Sequence, residues 1–170
     1  DGRPRWSELW EGLPYIIRRP AGRQHVRLIN GPNARPYIIG KTERNWTWRQ
    51  FKPYPAEIRF TPAELTFAEP YRGRVMIEPS VKAIGHDNKA WIPARWNQVA
   101  YAIVDDLNQP LVQCGAVHTD RLPAVDWVQT PTFRHALAVL SVAKAFVGTE
   151  GGLMHGAAAV GTPAVILWSE

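Results

Sequence analysis

From about Arg74 onward, short apolar runs alternate with longer stretches in which apolar residues recur at helical spacing. Short β-branched runs predict strands, and apolar residues three and four positions apart predict helices. The predicted strands are RVMIEP, LVQCG, DWVQT, AFVG and PAVILW, and the predicted helices are WIPARWNQVAYAIVDDL, TFRHALAVLSVAKA and GGLMHGAAAV. Because parallel neighbours need crossover connections, this alternation predicts an α/β fold with a Rossmann-like parallel sheet and helices on both faces.

The first 72 residues lack this regularity. They contain nine prolines, isolated apolar patches (YII, VRLI, RPYIIG) and the aromatic cluster NWTWRQF. A segment of this kind is not expected to close a core alone. We therefore predict two domains: a partial, irregular amino-terminal domain in residues 1–72, ending with a helix in TPAELTFAE, and a regular domain in residues 73–170. The helix that follows Pro131 is expected to begin with Thr130 or Thr132 as its N-cap.

The composition is that of a soluble globular protein, with 45% hydrophobic and 21% charged residues. No apolar run approaches the ~18 residues of a membrane span. The single cysteine, Cys114, excludes an internal disulfide framework and favours a reducing compartment, so a cytoplasmic location is expected. Because Cys114 lies in the apolar run LVQCG, we expect a buried structural thiol and not a nucleophile.

Positive charge is concentrated in the first third of the chain. Residues 1–56 carry eleven Lys and Arg against four acids, whereas the remainder carries nine against eleven. Such a segment favours an anionic partner: a phosphorylated glycan, a nucleic acid or a membrane surface. A solvated basic face is the alternative. Aromatic residues lie among these cations, and they favour either stacking on nucleic acid or packing under a proline-rich loop; they are Trp46, Trp48, Phe51 and Tyr54.

The stretch VGTEGGLMHGAAAV predicts an anion site. Thr149, Glu150, Gly151 and Gly152 follow the strand AFVG and precede a helix rich in small residues. In an open parallel sheet, ligands lie beyond the carboxyl ends of the strands. Glycines there let the backbone approach a ligand, and the free amides of the first helical turn favour an anion such as a diphosphate. His155 is expected to contact either the ligand or a neighbouring carbonyl, and Glu150 to cap the helix or to bind ligand hydroxyls.

A second loop is expected at the same edge of the sheet. Ser80, Lys82 and Lys89 follow RVMIEP, and two ammonium groups with a hydroxyl can neutralise a phosphate. No metal site is predicted, because the histidines and the cysteine lack metal-ligand spacing; these are His86, His118, His135 and Cys114.

The segments EPSVKAIGHDNKAWIPARWNQVA and VGTEGGLMHGAAAVGTPAVILW resemble the carboxyl-terminal domain of the heptosyltransferase-like glycosyltransferases, the ADP-heptose:lipopolysaccharide heptosyltransferase family. The family pairs a Ser/Thr loop ending in Lys-x-Trp with an acid-x-Gly-x-x-His loop before an alanine-rich helix. Here the matching residues are Ser80, Lys89 and Trp91 in the first loop and Glu150, Gly152 and His155 in the second. The resemblance covers about residues 73–170 and implies half of a GT-B architecture.

The resemblance implies an enzyme that moves a sugar from a nucleotide diphosphate donor to a glycan acceptor, without a metal or other cofactor. Ser80, Lys89, Gly151 and Gly152 would bind the donor phosphates, while Glu150 and His155 would contact donor sugar or phosphate. The family usually has Asp at position 150 and often Thr at position 151, which leaves the donor open. Its carboxylate base belongs to an amino-terminal loop without a match here, so the chain is interpreted as a fragment.

Two other functions remain open at this point. One is a nucleotide-binding module without catalysis, which the unmatched base favours. The other is a sugar transferase that acts on nucleic acid, which the basic aromatic segment favours. The expected partners are therefore a nucleotide sugar and an anionic glycan, with nucleic acid as the alternative. The inner membrane surface is the alternative location within the cytoplasm.

Overall fold

The computed structural model describes residues 6–16, 38–41, 46–48, 56–81, 89–116 and 119–168. The chain divides into two compact units, one formed by Asp1–Leu13 with Ala56–Glu170 and the other by Pro14–Pro55. The smaller unit contains an antiparallel pair of strands, β1 (Ile38–Lys41) and β2 (Trp46–Trp48), in which Gly40 lies opposite Thr47. The larger unit contains all the elements that the periodic half of the sequence predicts.

Five parallel strands form the sheet of the larger unit, as predicted. They are β3 (Val75–Glu78), β4 (Leu111–Gly115), β5 (Asp126–Gln129), β6 (Ala145–Thr149) and β7 (Ala164–Leu167). Their spatial order is β5-β4-β3-β6-β7, and every neighbouring pair is parallel. The chain builds outward from β3 to β5 and then crosses back to β6. The sheet therefore has a topological switch point between β3 and β6, where ligands bind in open α/β sheets.

The described residues include four α-helices: α1 (Pro62–Ala68), α2 (Pro93–Tyr101), α3 (Phe133–Val142) and α4 (Gly152–Val160). A 3₁₀ turn at Glu8–Trp10 precedes them, and α2 continues as a π-helical turn over Ala102–Asp106. Thr132 occupies the N-cap position of α3, but its hydroxyl bonds the His135 ring and caps no amide. Within the described ranges, no helix has the length and apolar character that crossing a bilayer requires.

Side chains alternate between the two faces of the sheet. Met76, Val112, Cys114, Val128 and Phe146 pack with buried residues of α1, α3 and α4. On the other face, the apolar side chains that cluster with α2 and its π-helical turn are Val75, Ile77, Leu111, Trp96, Ala100 and Ile103. The central strands β3 and β4 are thus buried on both faces, which confirms the predicted helices on both faces of the sheet.

The larger unit includes residues on both sides of the predicted domain boundary at residue 72, and that boundary stays a prediction. Helix α1 packs on α3, and Arg134 of α3 donates hydrogen bonds to the Glu64 carboxylate and to the carbonyl of Glu8. These contacts join residues 6–13 and 56–72 to the parallel sheet. The interpretation of the first 72 residues as part of an acceptor-side domain stays a prediction.

Candidate functional site

The candidate site lies at the carboxyl ends of the two central strands. Glu78 ends β3 and is paired with Gly148 of β6. A Cβ atom at Gly148 would lie 2.9 Å from the Glu78 carbonyl oxygen and 2.4 Å from Cζ of Phe146. The site therefore needs glycine at position 148, because no side chain fits where β3 and β6 approach each other.

The loop that follows β6 is held between its two neighbours. Thr149 is buried, and its hydroxyl donates to the carbonyl of Ser80, over 3.4 Å, in the loop after β3. The amide of Glu150 donates to the carbonyl of Leu167 on β7 over 3.3 Å. These two hydrogen bonds fix the direction in which the loop leaves the sheet and enters α4.

An ion pair joins the two loops that were predicted to form the site. Nζ of Lys89 lies 2.8 Å from Oε1 of Glu150, and the two side chains are 23% and 25% exposed. An ion pair of this exposure adds little to stability, since solvent screens it. Its consequence is positional: the carboxylate holds the ammonium group at the edge from which α4 begins.

Helix α4 begins without a side-chain cap. Gly151 occupies its N-cap position, and the first backbone bond of the helix joins His155 N to Gly151 O over 3.3 Å. Among the described residues beyond its chain neighbours, no heavy atom lies within 4 Å of where a Cβ would stand at Gly151. The first turn has no side-chain cap, and the partial positive charge of its amides favours an anion there. The side chain of His155 is exposed one turn into the helix.

Beside this helix start lies a cavity of about 150 Å³. Its lining consists of Glu78, Ser80, Phe133, Phe146, Thr149, Gly151, Gly152 and Leu153. Burial raises the pKa of Glu78 to about 7, although the hydrogen bond from Ser80 N to Glu78 Oε1, at 2.7 Å, opposes the shift. Glu78 and Phe133 line this cavity but were not predicted as site residues. The available signal for Glu78 was an acidic residue ending the first predicted strand.

The structure brings six of the eight nominated residues together at one edge of the sheet: Ser80, Lys89, Thr149, Glu150, Gly151 and Gly152. His155 follows one turn later on α4, and Lys82 lies outside the described residues. Their roles toward a ligand stay predictions. In the part of the chain that the structure describes, no three His, Cys, Asp or Glu side chains are grouped to hold a metal ion.

Two other expectations concern packing. Cys114 is buried, and desolvation together with the nearby Glu78 charge raises the pKa of its thiol to about 12, as expected of a structural cysteine. The small residues of α4 predict that this helix lies close against the sheet, and this stays a prediction. The helix approaches α3 closely, because a Cβ at Gly156 would lie 2.3 Å from Cδ2 of Leu137.

Solved structures share this fold, and two of them are glycosyltransferases. The chain is similar to the glycosyl transferase family 9 protein of Veillonella parvula, with a TM-score of 0.54, 16% identity, and coverage of 66% of this chain and 37% of that one. It is also similar to the E. coli ADP-heptose lps heptosyltransferase II, with a TM-score of 0.50, 18% identity, and coverage of 74% and 41%.

The chain thus spans about two fifths of the length of both structures. No protein-family model matches it, and no curated protein matches it. The fold-level resemblance to the heptosyltransferase-like glycosyltransferases is confirmed. Neither of these two structures supports a nucleic-acid partner. Of the aromatic residues in the basic segment, Trp46 and Trp48 belong to β2, while Phe51 and Tyr54 lie outside the described residues.

Proposed function

We propose that this chain is the donor-binding part of a glycosyltransferase that moves a sugar from a nucleotide diphosphate to a glycan hydroxyl. The observation that carries the proposal is the ion pair between Lys89 and Glu150 beside the uncapped start of α4. It supports a diphosphate site because an ammonium group and unpaired amides converge at the switch point of the sheet. Transferase activity is proposed from fold and site together.

The proposed chemistry is charge stabilisation. When the bond between the sugar and the nucleotide breaks, negative charge develops on the β-phosphate that leaves. The amides of Gly152 and Leu153 and the Lys89 ammonium group are the donors placed to stabilise it. Because these groups supply positive charge, we propose transfer without a metal ion. The acceptor hydroxyl also needs a base, which we assign to no described residue.

Lys89 can serve both its partner and a phosphate. An ammonium group has three N–H donors, and the bond to Glu150 uses one of them. The other two remain for phosphate oxygens. Glu150 is then positioned to accept from hydroxyls of the donor sugar, and His155 to contact the donor from the exposed first turn of α4.

The basic segment at residues 1–56 supports an anionic glycan as acceptor. We propose that this acceptor is used in the cytoplasm, including the inner membrane surface. The competing proposal is a nucleotide-binding module without catalysis. It predicts the same affinity for nucleotides but no release of sugar from the donor when an acceptor is added to the full-length protein.

Titration calorimetry with ADP, UDP and GDP tests the phosphate site. Lys89→Ala is expected to weaken binding of the preferred nucleotide by about tenfold, the effect of one charge-assisted hydrogen bond. Lys144→Ala is the matched control, because its ammonium group bonds Gln109 Oε1 at 2.6 Å, at the opposite end of β6. That variant should bind within about twofold of the unchanged protein. Equal loss in both variants, or none in Lys89→Ala, would refute the assignment.

A further inference from the structure

An acidic side chain lies where the proposed site should bind an anion. Glu78 is the one ionisable side chain among the described residues that line the cavity. It ends the central strand β3, and its Oε1 atom accepts a hydrogen bond from Ser80 N at 2.7 Å. A carboxylate at a phosphate site opposes binding, so its presence calls for a functional explanation.

The dimensions of the cavity show what can reach Glu78. The cavity has a volume of about 150 Å³. A phosphate group fits such a space, whereas a nucleoside is far larger. Phe133, Phe146 and Leu153 form apolar walls, and the start of α4 supplies Gly151 and Gly152. The charges of Glu78 and of a phosphate bound there would therefore lie in the same half-open cavity and repel each other.

Within the part of the chain that the structure describes, few other charges face Glu78. β4 contributes Cys114, whose thiol stays neutral because its pKa is raised to about 12. β6 contributes Phe146 and Thr149, α3 contributes Phe133, and α4 contributes two glycines and Leu153, none of which titrates. Lys89 and Glu150 form an ion pair adjacent to the cavity lining. Among the described residues that line the cavity, Glu78 is therefore the one whose charge can change; Lys82, His86 and Asp87, in the loop after Ser80, lie outside the described residues.

We propose that Glu78 is a specificity-determining residue that favours a singly charged, diesterified phosphate over a doubly charged terminal phosphate. The proposal rests on the function proposed above. Both phosphates of a nucleotide sugar carry one charge, whereas the terminal phosphate of a nucleoside diphosphate carries up to two above about pH 6. The Glu78 carboxylate repels the additional charge. The site would thereby retain the donor and release the nucleoside diphosphate product after transfer.

The test compares each nucleotide with its sugar derivative in two proteins. ADP and ADP-glucose, UDP and UDP-glucose, and GDP and GDP-mannose are titrated by calorimetry at pH 8 into the unchanged protein and Glu78→Gln. Glu78→Gln should strengthen binding of the nucleoside diphosphate by about tenfold and of its sugar derivative by less than about threefold. Glu69→Gln, which removes an exposed carboxylate paired with Arg72, is the control and should change neither.

A pH series on the unchanged protein gives a second measurement that needs no variant. Since burial raises the pKa of Glu78 to about 7, this carboxyl is mostly protonated at pH 6 and mostly ionised at pH 8. Binding of the nucleoside diphosphate should weaken over this range, although its own phosphate gains charge. Constant or stronger binding at pH 8 would overturn the proposal, as would an equal gain for both ligands in Glu78→Gln. Absence of binding by every ligand would instead overturn the proposed function.

Discussion

Arg134 of α3 and Glu64 of α1 form a buried, two-pronged ion pair, with N–O distances of 2.6 and 2.8 Å. The same guanidinium group donates to the carbonyl of Glu8 over 3.1 Å and to that of Arg59. Glu64 in turn closes a capping box with Thr61 at the start of α1. One arginine therefore joins α1, α3 and the 3₁₀ turn at Glu8–Trp10. Losing one partner of such a pair leaves an uncompensated buried charge.

The Glu64 carboxylate should make the free energy of unfolding depend on pH. The hydrogen bond from Arg134 lowers the pKa of Glu64 from 4.5 to about 2. A lowered folded-state pKa stabilises the fold above pH 4.5, and this contribution is lost as the pH falls toward 2. Glu64→Gln should therefore lower the unfolding free energy by about 3 kcal/mol at pH 6 and by much less near pH 2.5.

Urea unfolding at both pH values measures this difference. Glu69→Gln is the control, because its pair with Arg72 is exposed and should matter little at either pH. A gap between Glu64→Gln and the unchanged protein that stays constant from pH 6 to pH 2.5 would contradict the assignment of the ion pair.

Two threonines at helix starts should differ in their effect on stability. The hydroxyl of Thr61 accepts a hydrogen bond from the Glu64 amide at 3.2 Å. The hydroxyl of Thr132 is instead hydrogen-bonded to the His135 ring and caps no amide. Thr61→Ala should cost about 1 kcal/mol and Thr132→Ala less than about 0.5 kcal/mol. Chemical unfolding of both variants at pH 7 measures the costs, and an equal cost would show that the cap at Thr61 does not stabilise α1.

Cys114 should resist thiol reagents in the folded protein. It is buried, and its thiol pKa is raised to about 12 by desolvation and by the nearby Glu78. Since the thiolate is the reactive form, labelling by a disulfide reagent at pH 8 should be at least ~100-fold slower than in urea. Labelling of the folded protein at the rate seen in urea would show that the thiol is accessible.

The elements that the sequence predicted are those whose signal is local. Each strand and helix of the regular half has its own apolar periodicity, and alternation between them fixes a parallel sheet. The meeting of Lys89 and Glu150 was also predictable, because both follow strands and the carboxyl ends of parallel strands share one edge. The topology of the sheet thus brings together residues that lie far apart in sequence.

What the sequence could not predict depends on packing between distant segments. The pair of Arg134 and Glu64 joins α3 to a segment that lacks regular periodicity, so no periodic signal predicts this contact across residue 72. From the sequence, Glu78 is only the last residue of a predicted strand. The cavity that it lines is formed together with Phe133 and Leu153, which follow later in the chain.

Alanine substitutions at Gly148 and Gly151 should distinguish an effect on stability from an effect on ligand binding. A methyl group at Gly148 would lie 2.9 Å from the Glu78 carbonyl oxygen and 2.4 Å from the Phe146 ring, whereas at Gly151 it would meet nothing within 4 Å. Gly148→Ala should therefore cost about 1–3 kcal/mol of stability. Gly151→Ala should change stability by less than about 0.5 kcal/mol, since its backbone is extended and its surroundings are open.

Nucleotide affinity should change in Gly151→Ala although the fold does not. The added methyl group would stand beside the uncapped amides of α4, in the space assigned to the diphosphate. Thermal unfolding and calorimetry on the same samples separate the two effects. If Gly151→Ala is as stable as the unchanged protein and binds nucleotide equally well, no ligand approaches the start of α4. The phosphate site would then have to lie elsewhere on this edge of the sheet.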